Sequence, residues 1–159
     1  MSVGALRRIA EEHAAARKVI RFTDPSGHAR LPSQMASRLF DLQQKSVGAH
    51  AAVGGVVGAT RHFRDLNITA APRLDISVYD ADTRFVTKLD AGLVNDPKLS
   101  GKTPLVLHLQ RDCRPQEVIA AAPGTAARLD CLADLVEIGL EAEADEFAHE
   151  LIQAARKAR

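Results

Sequence analysis

The chain has no tryptophan, one tyrosine and five phenylalanines among 159 residues. Its core must therefore be filled by Leu, Ile, Val and many alanines, side chains that each bury little area. Alanine is the best helix former and loses no side-chain entropy on ordering, so the composition favours closely packed helices over a large all-β sandwich. Cysteine is almost as scarce. Cys113 and Cys131 have seventeen residues between them and no Cys-x-x-Cys spacing, which argues against a disulfide scaffold and for buried thiols in a reducing compartment.

Long apolar runs are also missing. No window reaches the roughly 18 residues a membrane span needs, and Arg7, Arg8, Glu11 and Glu12 interrupt any apolar core of a leader. A cytoplasmic location without membrane contact is expected, which leaves the sequon Asn67-Ile68-Thr69 without meaning. The length is that of one α+β domain over residues 1–159. Net charge is only +1, yet residues 1–73 carry +6 and residues 74–159 carry −5. This asymmetry marks either a basic face for an anionic partner or two halves that attract each other.

What is present is a change of period. Leu6, Ile9, Ala10, His13, Ala16 and Ile20 recur at three and four, which predicts an amphipathic helix over 2–20 with Ser2 as its N-cap. Asp24-Pro25-Ser26-Gly27 is a turn. A second helix is expected from Pro32 to about Lys45, with Ser33 as cap and Met35, Leu39 and Leu42 inward. The segment 47–59 holds four glycines among small apolar residues, a composition that signals close backbone approach as a loop, a bent helix or a strand. A short helix over 60–66 follows.

From Arg73 the period becomes two. Leu74, Ile76 and Val78 alternate with Asp75, Ser77 and Tyr79, and Phe85, Thr87 and Leu89 alternate with Val86 and Lys88, which predicts a hairpin; a third strand covers 104–110. The expected sheet is three-stranded, mainly antiparallel and spans about 73–110. After a short helix over 115–122, Pro123-Gly124 and a capping Thr125, one long C-terminal helix with a bend near Gly139 is expected through residue 154.

Chemistry-bearing motifs are few. Ser100-Gly101-Lys102-Thr103 ends like a phosphate loop, but Asp96 stands where the first glycine is required and a strand follows where a helix should open. Asp75, Asp80, Asp82 and Asp90 cluster around the predicted hairpin, where turn chemistry explains them better than a hard cation. No His/Cys spacing suggests zinc, and no metal or small-molecule cofactor is indicated. His50 and His62, with Arg61, Arg64 and Asp65 nearby in sequence, are the candidates for proton transfer in a small hydrolase or ribonuclease. No Ser or Cys nucleophile motif accompanies them.

Arg7, Arg8, Arg17, Lys18, Arg21, Arg30 and Arg38 could present cations to nucleic-acid phosphates. Gly54, Gly55 and Gly58, with Leu140, Phe147 and Leu151 on the final helix, are the candidates for contact with another protein or a second copy. The leading expectation is a small bacterial-type, non-enzymatic regulator or adaptor that binds another macromolecule. Nucleic-acid binding and His50/His62 hydrolysis are the alternatives.

Overall fold

The computed structural model describes residues 1–68, 70–98, 102–110 and 124–159. Among them are six helices and a five-stranded mixed sheet, so the α+β class holds while the sheet is larger than the three strands expected. In chain order the elements are α1 (Val3–Ala16), β1 (Lys18–Thr23), α2 (Pro32–Gln44), β2 (Ala51–Val53), α3 (Gly55–His62) and β3 (Leu74–Val78). They continue with α4 (Phe85–Leu89), β4 (Val94–Asn95), β5 (Leu105–Leu109), α5 (Arg128–Ile138) and α6 (Glu141–Lys157). The strand order is β2-β3-β5-β1-β4. The central pair β3–β5 is parallel, and the three other pairings are antiparallel.

Each departure from expectation has a physical cause. The first helix begins at Ser2, whose Oγ accepts the Ala5 N–H at 3.1 Å, but it ends at Ala16 rather than residue 20. Lys18–Thr23 contains Val, Ile, Phe and Thr, residues that suit a pleated surface, and it pairs along its length with β5. The predicted hairpin is not formed. Leu74–Val78 is a strand, but Phe85–Leu89 is a helix, because five residues fit either period and burial of Phe85, Val86 and Leu89 selects one helical face.

The second helix starts from Leu31 with Pro32 in its first turn and has no side-chain cap, so Ser33 lies inside it. The segment 47–59 resolves into β2 and α3, meeting at Gly54, and the short helix expected over 60–66 is the end of α3. The single C-terminal helix is two. Gly139 adopts φ 86°, and the Leu140 N–H reaches back to the Leu135 carbonyl at 3.1 Å, a left-handed C-terminal cap that stops α5. Thr125 caps nothing here; it bridges Val53 in a parallel contact. The helix expected over 115–122 and Cys113 lie outside the described residues.

The sheet's two faces differ in kind. Leu74, Ile76, Val78, Leu105 and Leu107 cover one face and pack with Met35, Leu39, Phe85, Val86 and Leu89 of α2 and α4. The side chains that alternate with them, Asp75, Ser77 and His108, are buried on the other face. A second apolar cluster lies among α1, α3, α5 and α6, built on Ala10, Val56, Ala59, Leu132, Leu135 and Phe147. Polar groups thus occupy the seam between sheet and helices.

Surface ion pairs close the loops. Arg30 bonds both Asp24 and Asp90; the Ser26 hydroxyl and then the Arg30 guanidinium hold the Asp24 carboxyl below the usual range, and Arg30 does the same for Asp90. Such depressed carboxylates stabilise the fold above their unfolded pKa, and that contribution is lost as pH falls toward the folded values. Arg30→Ala should therefore lower the thermal midpoint at pH 7 more than at pH 3, a difference readable in calorimetric scans across that range.

Candidate functional site

Two places combine polar groups in a way the apolar packing does not require: a buried ionic cluster and a surface cleft. The cluster is built by the sheet's polar face and α5. His108 Nε2 lies 2.7 Å from Asp75 Oδ1 and 3.3 Å from Asp134 Oδ1, while His108 Nδ1 lies 3.4 Å from Glu137 Oε2. Arg17 donates from Nη1 to Asp134 Oδ1 at 2.8 Å. Arg73 Nη2 stands 2.9 Å from Asp75 Oδ1, and Arg21 donates to Glu137 Oε1 at 3.1 Å. Asp75, His108 and Asp134 side chains are fully buried.

Glycines make this cluster possible. The Gly55 N–H donates to Asp134 Oδ2 at 2.7 Å. A Cβ on Gly54 would collide with that same oxygen, and one on Gly55, already at φ +55°, would sit 2.5 Å from Asp75 Oδ2. Burial pushes the Asp134 carboxyl above its usual range against the pull of His108 and Arg17. Burial likewise raises the Cys131 thiol well above its ordinary value, which keeps it protonated and unreactive.

The cleft lies at the carboxyl end of β3. It has a volume of about 480 Å³ and is bounded by residues 46–51 on one side and by Asp80, Asp82, Arg84, Phe85 and Lys88 on the other. Ser46 (φ 61°) and Ala81 (φ 57°), the two non-glycine residues with positive φ among those described, flank it. Gln43 Nε2 donates to the carbonyls of Gly48 and Ala51 and holds the first wall. In the second, Asp80 Oδ1 accepts the Asp82 N–H at 3.0 Å and Asp82 Oδ1 the Arg84 N–H at 3.1 Å, the local bonding expected of turn aspartates. Arg84 lowers the Asp82 carboxyl to about 2. His50 and Lys88 are exposed on this cleft, and neither side chain has a partner among the described residues.

The remaining sequence candidates are placed as follows. His62 is half-buried beside Phe147 and donates from Nε2 to the Ala126 carbonyl at 2.7 Å, and burial lowers its pKa from the ordinary value. It does not line the cleft with His50. Arg61 stacks over the Phe40 ring at 4.1 Å, and Arg64 and Asp65 are exposed. Of the basic candidates, Arg7 pairs with Glu141 and Asp145, Arg17 with Asp134, Arg21 with Glu137, and Arg30 with Asp24 and Asp90. Arg8, Lys18 and Arg38 stay exposed. Gly54, Gly55 and Gly58 are buried, and their close approaches are to Asp134, Asp75, Val53 and Cys131 of the chain itself. Phe147 is buried in the helical core, with Leu140 and Leu151 packed against it.

His108 was missed because a lone histidine in a Leu-Val-Leu-His-Leu strand carries no motif. Its signal was available: position 108 shares the parity of Val106, alternating with the apolar Leu105, Leu107 and Leu109, and Asp75 has the matching parity on β3. His13, on the apolar spacing of α1, lies 2.6 Å from Asp130, which also accepts from Tyr79.

No family model matches this chain, and no curated protein or solved structure is significantly similar to it. No described helix is long and apolar enough to cross a membrane. Function must therefore be read from these two places.

Removing one partner from a buried ion pair leaves a desolvated charge, at a cost of about 3–5 kcal/mol. Arg17→Met, which keeps the aliphatic stem but removes the guanidinium from buried Asp134, should lose stability of that order in urea titration. Gly54→Ala should be similarly damaging through its clash with Asp134, by roughly 2–4 kcal/mol, whereas the same change at exposed Gly4, with open space around it, should be within about 0.5 kcal/mol of neutral or stabilising.

Proposed function

We propose that this chain is a non-enzymatic binding module that holds a short segment of another macromolecule in the cleft between residues 46–51 and Asp80–Lys88. The observation that carries the reading is the cleft itself. Its volume falls in the roughly 300–1,000 Å³ range of binding pockets, and apolar Val47, Ala51 and Phe85 lie beside the unpaired polar groups His50 and Lys88. That mixture suits a segment that buries an apolar side chain and sets an anionic one against Lys88. Positive φ at Ser46 and Ala81 supports it, because strained backbone gathers where a surface is shaped for a ligand.

Binding is favoured over catalysis because among the described residues no carboxylate is bonded to His50 to fix a tautomer, and Asp80 and Asp82 are engaged in their own loop. Nucleic-acid binding through the N-terminal basic residues has less support, since Arg7, Arg17, Arg21 and Arg30 are matched by carboxylates within the chain.

A photo-crosslinking amino acid at exposed Ala49, compared with one at exposed Ser37 on α2, tests the reading in cells that express the chain. Adducts are expected at position 49, weakened by Lys88→Glu and absent at position 37. Equal adduct yields at both positions would remove the cleft as the binding surface. Cleavage of RNA by the purified chain that His50→Ala abolishes would replace the binding module with an enzyme.

A further inference from the structure

We propose, resting on the binding reading of the cleft, that its occupant is the carboxyl-terminal end of another protein chain. The terminal carboxylate sits on the backbone of residues 48–49, and an apolar last side chain lies against Phe85. Gly48 and Ala49 supply the donors. The neighbouring Ser46, Val47 and Ala51 N–H groups donate to the Gln43, Leu42 and Gly48 carbonyls at 3.0, 3.0 and 3.1 Å, whereas those of Gly48 and Ala49 donate to nothing among the described residues. Both residues line the cleft, and Gly48 is left-handed at φ 66°. Successive free N–H groups beside a left-handed residue form a concavity that accepts anions, a terminal carboxylate among them.

The apolar subsite adjoins these donors. A Cβ on Gly48 would stand 3.3 Å from the Phe85 ring and 3.4 Å from Leu39, so the backbone that carries the donors lies directly on the apolar wall. In a last residue the carboxylate and the side chain leave the same Cα, and one residue reaches both chemistries. The charge on the cleft fits a monoanion. Asp80 and Asp82 offset Arg84 and Lys88, with Arg84 already 2.7 Å from Asp82. No excess is left for a dianion such as phosphate, while neutral N–H donors and the Lys88 ammonium match one carboxylate.

A segment that crosses the cleft in mid-chain finds no strand to join. β2 is the outermost strand on this side, and its outward backbone groups are occupied. The Ala51 N–H is bonded to Gly48 and its carbonyl to Gln43 Nε2, while the Val53 N–H and carbonyl are bonded to Gly124 and Ala126. Strand addition needs such groups free. A chain end needs only its carboxylate and one side chain.

The test uses the full chain. Acetylated hexapeptides ending in Leu, Val or Phe, prepared as free acids and as terminal amides, are titrated while the backbone amide signals are followed by NMR, with inorganic phosphate as a third arm. The free acids should shift the Gly48 and Ala49 signals first. Amidation should weaken binding by roughly tenfold or more, and Lys88→Gln by about twofold to fivefold. The adducts formed by the crosslinker at position 49 should map to the last residues of the partner. Acids and amides that bind alike, no shift of those two signals by any free acid, phosphate binding there more tightly than the acids, or adducts mapping to an internal stretch would each overturn terminal capture and leave the cleft a binding surface. Adducts no more abundant at position 49 than at position 37 would remove the cleft reading as well.

Discussion

The interaction on which the rest of the molecule depends is the convergence of Asp75, His108 and Asp134 between the sheet and α5. Charged groups taken from water must be matched locally, so every element that approaches them is constrained in position. Arg17 must leave the end of α1 and point at Asp134, which coincides with the chain turning into β1. The start of α3 must come close enough for the Gly55 N–H to reach the same carboxylate, which requires glycine at 54 and 55. The parallel pairing of β3 with β5 aligns Ser77 with His108 and puts Asp75 on the same face. A one-residue slip would turn these groups into the apolar layer under α2 and α4.

The charge asymmetry along the chain has the same origin. The positive first half and the negative second half meet inside the fold: Arg7 with Glu141 and Asp145, His13 with Asp130, Arg17 with Asp134, and Arg21 with Glu137. Much of the sequence's basic face is thus spent on self-assembly. The cleft beside β2 and α4 stands apart from this network, and its exposed His50 and Lys88 side chains have no partner among the described residues. One region of the molecule holds its charges rigidly, and another leaves them available.

Legibility in the sequence followed the length and exposure of each element. The start of α1 at Ser2, the span of α2, the strands β3 and β5, and the break at Gly139 were readable because a cap, a long period or a glycine marks each. β1 was not, since Val19, Ile20 and Phe22 continue the spacing of the preceding helix and only pairing with β5 makes them extended. α4 was not, since five residues do not separate period two from period 3.6. Of the candidate sites, His50 was singled out in the glycine-rich segment for proton transfer together with His62, and the fold puts only His50 on the cleft. The ionic cluster was not, because its members come from positions 17, 21, 73, 75, 108, 134 and 137.

Local chemistry settled the α+β class, the alternation that gives β3 and β5 one apolar face, and the need for close approach at Gly54 and Gly55. These depend on residues a few positions apart, where period and backbone freedom act directly. Strand order, the parallel central pair, and the meeting of carboxylates with His108 were decided only in the assembled fold. A carboxylate's partner is chosen by which surfaces the apolar burial brings together, and that choice is made between residues up to 138 positions apart.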